Sequence, residues 1–157
     1  MTLAGKIREE LNAQWIPQIY LERVRAGRTR SYHLDIPERE NRSEIMFTLL
    51  GIELKVGNKR FACPDLATAR YLQVFARLGC RDIAVPYDIT QISPVADELE
   101  TAWQRMLLVV EHECSGRPTQ TLGKIRAGLI RQLRQDIAEI GAGELMPEFK
   151  KSTKQRS

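Results

Sequence analysis

Glu53 and Lys55 stand two residues apart in Gly51-Ile52-Glu53-Leu54-Lys55-Val56-Gly57, a segment that alternates apolar and charged residues. On an extended strand residues i and i+2 share a face, so a carboxylate and an ammonium stand side by side. Asp35 occupies a polar position of an earlier alternating run, Ser31 to Ile36. An Asp and a Glu on neighbouring strands can share one hard divalent cation, typically Mg²⁺ with waters completing the shell. Asp35 and Glu53 are therefore the candidate metal ligands. Lys55 completes the candidate catalytic set: it could orient or deprotonate an attacking water, or stabilise charge developing on a phosphate. Cross-strand charge pairing on a wet strand face accounts for the same residues without catalysis. No cofactor beyond that conditional Mg²⁺ is indicated.

A second set of residues is cationic. Residues 1–30 carry six Lys or Arg against three Glu, residues 31–116 nine against thirteen acids, and residues 117–157 nine against four. Basic ends around a mildly acidic middle fit an anionic partner. Arg23, Arg25, Arg28 and Arg30 cluster near one helix end, and Lys124, Arg131 and Arg134 recur along a later one. These seven are the candidate nucleic-acid contacts, suited to phosphates rather than to base edges. The aromatic content of 6% shows no interleaving with basic residues that would predict base stacking.

Other chemistry lacks its signature. No HExxH, Walker A loop, GxGxxG or Gly-x-Ser-x-Gly occurs. His112 and Cys114 are two apart on a helix and diverge. Cys63, Cys80 and Cys114 are widely spaced with no CxxC, so reduced thiols are expected rather than a disulfide framework. No run approaches the ~20 apolar residues of a membrane span, and Met1 to Glu10 lacks the apolar region of a signal peptide. The expected setting is the cytoplasm, without a membrane partner.

Periodicity gives the framework on which these residues are carried. The expected fold class is mixed α/β: a small sheet of about four to five strands with amphipathic helices packed on it, and a helical C-terminal half. Residues 1–149 are expected to form a single domain, and residues 150–157, which lack any apolar side chain, a disordered basic tail. Leu3, Ile7, Leu11 and Trp15 predict an opening helix that Pro17 interrupts, as one kinked helix or as two. Strands are predicted over Ser31–Ile36, Glu44–Leu50 (with a helical turn as the alternative), Ile52–Val56 and Arg60–Cys63, the last two joined at Gly57-Asn58. Asp65 caps a helix that Gly79 ends. Asp82–Val85 is a further strand, and the order strand, helix, strand suggests a parallel crossover. Tyr87 and Asp88 then fall at a strand end, where ligands bind in open parallel sheets, or simply form an Asx turn. A helix starts at Ser93-Pro94 with Trp103 in its stripe, and the last helix runs from about Thr121 to Ile140.

With an acid at Asp35, Glu53-x-Lys55 on the next strand, and Glu9 or Glu10 on a preceding helix, residues 3 to 86 resemble the core of the PD-(D/E)XK, restriction-endonuclease-like nucleases. The resemblance implies a metal-dependent nuclease with Asp35, Glu53 and Lys55 as its catalytic residues. The chain departs from that pattern where Leu34 rather than Pro precedes Asp35, and where a Gly57-Asn58 hairpin rather than a helix comes after the Glu-x-Lys strand. Separately, Pro86-Tyr87-Asp88-Ile89-Thr90 with Ile92-Ser93-Pro94 and Asp97-Glu98-Leu99-Glu100 resembles a family of small cyanobacterial proteins for which no activity is known. That likeness implies a bacterial cytoplasmic setting only.

The favoured expectation is a small basic interaction module that binds nucleic acid without reading sequence. The alternatives are the metal-dependent nuclease and a protein-binding adaptor that uses the apolar stripes of the last two helices. A homo-oligomer is compatible with all three.

Overall fold

The computed structural model describes residues 2–142; the tail expected over residues 150–157 lies outside the described residues. The chain runs α1 (Leu3–Leu11), α2 (Ile16–Ile19), β1 (Thr29–His33), β2 (Ser43–Thr48), β3 (Gly51–Val56), β4 (Lys59–Cys63), α3 (Leu66–Leu78), β5 (Asp82–Pro86), α4 (Ile92–Glu113) and α5 (Thr119–Ile140). It is a mixed α/β architecture with a helical C-terminal half, as the periodicities require. No helix among the described residues is long and apolar enough to cross a membrane.

The opening helix resolves into two. Thr2 caps α1 by accepting from Gly5 N at 3.0 Å, and the chain breaks at Asn12, whose φ is 50°. Pro17 then sits in the first turn of α2, where its missing N–H costs nothing, so it opens a helix rather than interrupting one. A π-helical stretch, Tyr20–Arg25, continues α2 toward β1.

The five strands form two small antiparallel sheets rather than one, a β2-β3-β4 meander and a β1-β5 pair. The parallel crossover expected at β5 is thereby corrected: β5 runs antiparallel to β1, from Thr29 opposite Pro86 to His33 opposite Asp82. Its hydrogen bonds explain its composition. Leu34 N donates to Arg81 O (2.7 Å) and Tyr87 N to Arg28 O (2.9 Å). In that register the Ala84 and Pro86 positions direct their polar groups away from β1, so Pro86 forfeits no ladder bond. At the free side of Ala84 two buried tyrosines take the place of a further strand. Ala84 N donates to Tyr20 Oη (2.9 Å) and Tyr71 Oη donates to Ala84 O (2.6 Å).

In the meander, Ile52, Leu54 and Val56 share one face and Glu53 and Lys55 the other. Leu54 and Val56 are buried in a core that runs from Ile7 through Tyr71, Phe75 and Trp103 to Leu133 and Ile137. Most of the apolar stripes of α4 and α5 also face this core, with Leu122 and Ile125 of α5 only partly buried against it. Apolar side chains also remain outside: Phe47, Leu49 and Leu50 at the β2–β3 tip are 72%, 105% and 95% exposed, and Leu108 on α4 is 65% exposed.

Both ends of α3 are tied down by side chains and by neighbouring backbone. Asp65 caps its start through Thr68 N (2.7 Å), and Gly79 ends it with φ 80°. Asn41 N donates to Arg77 O (3.1 Å), Asn41 Nδ2 to Ala76 O (3.2 Å) and Arg134 Nη1 to Leu78 O (2.8 Å). These bonds satisfy terminal carbonyls that the helix itself cannot.

Candidate functional site

Asp35 lies two residues beyond the end of β1. It is exposed and accepts from Lys59 Nζ at 2.6 Å. That hydrogen bond and the charge of Lys59 hold its carboxyl below the usual value. Glu53, on β3, faces Arg60 at 3.5 Å, and Lys55 approaches Glu44 of β2 at 4.0 Å. In the β3–β4 register Val56 stands opposite Lys59 and Lys55 opposite Arg60. Lys59 and Arg60, adjacent on β4, point to opposite faces. The ammonium that holds Asp35 and the guanidinium that meets Glu53 therefore leave the meander on different sides. The expectation that Asp35 and Glu53 come from neighbouring strands is corrected as well, because β1 and β3 belong to separate sheets. Among the described residues no group of three or more His, Cys, Asp or Glu side chains could hold a metal ion. Each of the three candidate catalytic residues has an ion-pair partner, and for Glu53 and Lys55 it stands on a neighbouring strand, which is cross-strand charge pairing.

The seven cationic candidates separate by what they touch. Arg23 is paired with Glu98 at 2.9 Å. Arg25 turns back to Thr29 Oγ1 (3.3 Å), and its buried Nε has no hydrogen-bond partner among the described residues. Arg134 serves the end of α3. Lys124 and Arg131 are exposed on α5. Arg28 and Arg30 do something the sequence did not suggest: their guanidinium carbons lie 4.5 Å and 4.9 Å from the ring centre of Tyr87.

The β1–β5 register makes that contact. Thr29 opposite Pro86 sets Arg28 across from Tyr87 and Arg30 on its diagonal, both within reach of a large ring. Tyr87 is 46% exposed and Ile89 beside it 68%. A cavity of about 430 Å³ adjoins them, lined by Arg23, Arg28, Tyr87, Asp88 and Gln91 among others. Asp88 is occupied in shaping the loop: its Oδ1 accepts from Thr90 N (3.0 Å) and Oγ1 (2.8 Å), bonds that lower its pKa. Among the described residues neither Arg28 nor Arg30 has a carboxylate within ion-pair distance. Tyr87 was singled out in the sequence only as a strand-end residue; its meeting with Arg28 and Arg30 was not legible there, because Arg30 and Tyr87 stand 57 positions apart and only strand pairing joins them.

No protein-family model, curated protein or solved structure matches the chain.

Proposed function

We propose that the chain is a small nucleic-acid-binding module that grips the sugar–phosphate backbone without reading sequence, through the Arg28–Tyr87–Arg30 cluster. The observation that carries this reading is a pair of guanidinium groups on one tyrosine ring, at 4.5 Å and 4.9 Å, with no carboxylate to neutralise them among the described residues. A guanidinium resting on an aromatic face keeps its N–H edges free for phosphate oxygens. The ring also restricts two long side chains before any ligand arrives, so less rotamer entropy is lost on binding. Guanidinium planes and the exposed tyrosine edge further offer surfaces for unpaired bases.

The test is retention of labelled single- and double-stranded DNA and RNA across a salt series, with and without Mg²⁺. Retention should weaken steeply with salt, and Arg28→Gln with Arg30→Gln should reduce the log–log salt slope by about 1–2. Tyr87→Ala should lower affinity while leaving the slope near its original value, since it removes no charge. Lys6→Gln, at a cation already paired with Glu113 (3.2 Å), should change little. Salt-insensitive retention would move attention to an apolar surface such as the Phe47–Leu50 tip. Mg²⁺-dependent cleavage lost in Glu53→Ala would replace the binding reading with a nuclease. Absence of retention at low salt would end the proposal.

A further inference from the structure

A cleft of about 660 Å³ opens between the loop before β2, the β3–β4 turn and helices α3, α4 and α5. It is built from residues other than those of the Arg28–Tyr87–Arg30 cluster. Four cations line it, Arg42, Lys55, Arg77 and Arg126, against the two carboxylates Glu40 and Glu44. Three of those cations come from the stretch of sequence that is acidic on balance, so the fold has concentrated positive charge there.

The four cations are unequal. Arg77 is committed to Glu100 at 2.7 Å, and Arg126 makes a two-pronged contact with Glu40. Both guanidinium groups also flank Trp103, 5.7 Å and 5.8 Å from its ring centre, and Trp103 is only 4% exposed. These two arginines are structural walls. Lys55 has only Glu44, at 4.0 Å, the outer limit of an ion pair, and Arg42 is exposed with no carboxylate partner among the described residues. Ser43, which follows Arg42 and lines the cleft, stands opposite Val56, so its side chain turns to the core face and leaves the anion-facing charge to Arg42 and Lys55.

We propose that this cleft binds a small organic anion, with its phosphate or carboxylate group held between Arg42 and Lys55 and its body against Leu107. The volume falls in the range of small-molecule sites and exceeds what a lone inorganic ion fills. The walls supply the usual combination of apolar surface and a few convergent polar groups. Glu44 competes with the ligand for Lys55, which gives the site a substitution of opposite sign.

The test is calorimetric titration at low ionic strength with inorganic phosphate, AMP and citrate, which separate a bare phosphate, an organic phosphate and an organic carboxylate. One organic anion should bind saturably and more tightly than inorganic phosphate. Arg42→Gln and Lys55→Gln should each weaken it roughly tenfold or more. Glu44→Gln should tighten it, and Arg28→Gln should leave it unchanged. Thermal unfolding of each variant checks that the fold survives. Lack of saturable binding by all three anions, indifference to both Arg42→Gln and Lys55→Gln in folded protein, or weakening by Glu44→Gln would each overturn the proposal. Oligonucleotide retention serves as the independent readout, because failure here leaves the Arg28–Tyr87–Arg30 reading untouched.

Discussion

At the scale of single residues, four carboxylates are tuned by their neighbours. Asp35, Asp88 and Glu113 are lowered chiefly by hydrogen bonds, from Lys59, Thr90 and Lys6 respectively. For half-buried Glu100, burial raises the pKa, but hydrogen bonds from Gln104 and Arg77 outweigh it and the net shift is downward. Groups depressed on folding add stability above their ordinary values of 3.8 for Asp and 4.5 for Glu. That stability is lost as pH falls through the lowered folded values. Denaturant midpoints should therefore fall on acidification below about pH 4.5, and Glu100→Gln should flatten that limb while lowering the neutral plateau. At the other extreme, burial raises the Tyr71 hydroxyl well above its normal range, so it stays protonated and donates to Ala84 O. Tyr71→Phe would strand that carbonyl and should cost about 1–3 kcal/mol in urea unfolding.

At the scale of elements, the junction of α3 with the loop before β2 is the least forgiving. Gly79 has φ 80°, and a Cβ there would meet Arg39 O at 2.4 Å and Arg39 N at 2.5 Å. A left-handed conformation costs a non-glycine residue about 1–2 kcal/mol, and backbone cannot swing aside as a side chain can. Gly79→Ala should destabilise by more than that amount, and it should disturb the cleft through Asn41 and Arg42. Gly57, with φ 61° and open space around its Cβ position, would show the conformational cost without the clash. Comparing the two alanine variants by equilibrium unfolding separates the contributions. Asp65, Gly57-Asn58 and Gly79 were readable in advance because capping and turn chemistry are local. The partner of β5 was not. A short apolar strand after a helix is compatible with either direction of pairing, and here the choice depends on Tyr20 and Tyr71, distant in sequence, filling its far edge.

At the scale of the whole molecule, one core joins both sheets and the described helices. Tyr20 on the π-helical stretch packs on Phe75 of α3 at 5.5 Å between ring centres, and Tyr20 Oη also donates to Gly141 O past the end of α5 (2.7 Å). Separate sheets do not mean separate folding units when they share such contacts. Far-ultraviolet and near-ultraviolet circular dichroism should report one coincident thermal transition. Two resolved transitions would show that the β2-β3-β4 meander unfolds on its own.

The order of residues was enough to establish the mixed α/β class, most element positions, the inward stripes of the long helices and the wet face of β3. Periodicity and residues whose backbone preferences act over a few positions carry that information. The arginines near the start of β1 were marked in the same way. Which charges are spent and which are free was settled by packing alone. Arg23, Arg25 and Arg134 are absorbed by Glu98, Thr29 and a helix end, whereas Arg28 and Arg30 meet Tyr87. Packing likewise placed Asp35 and Glu53 against cations that leave opposite faces of one strand. A charge becomes available or neutralised through partners tens of residues away, and no local pattern encodes which partner the fold will deliver.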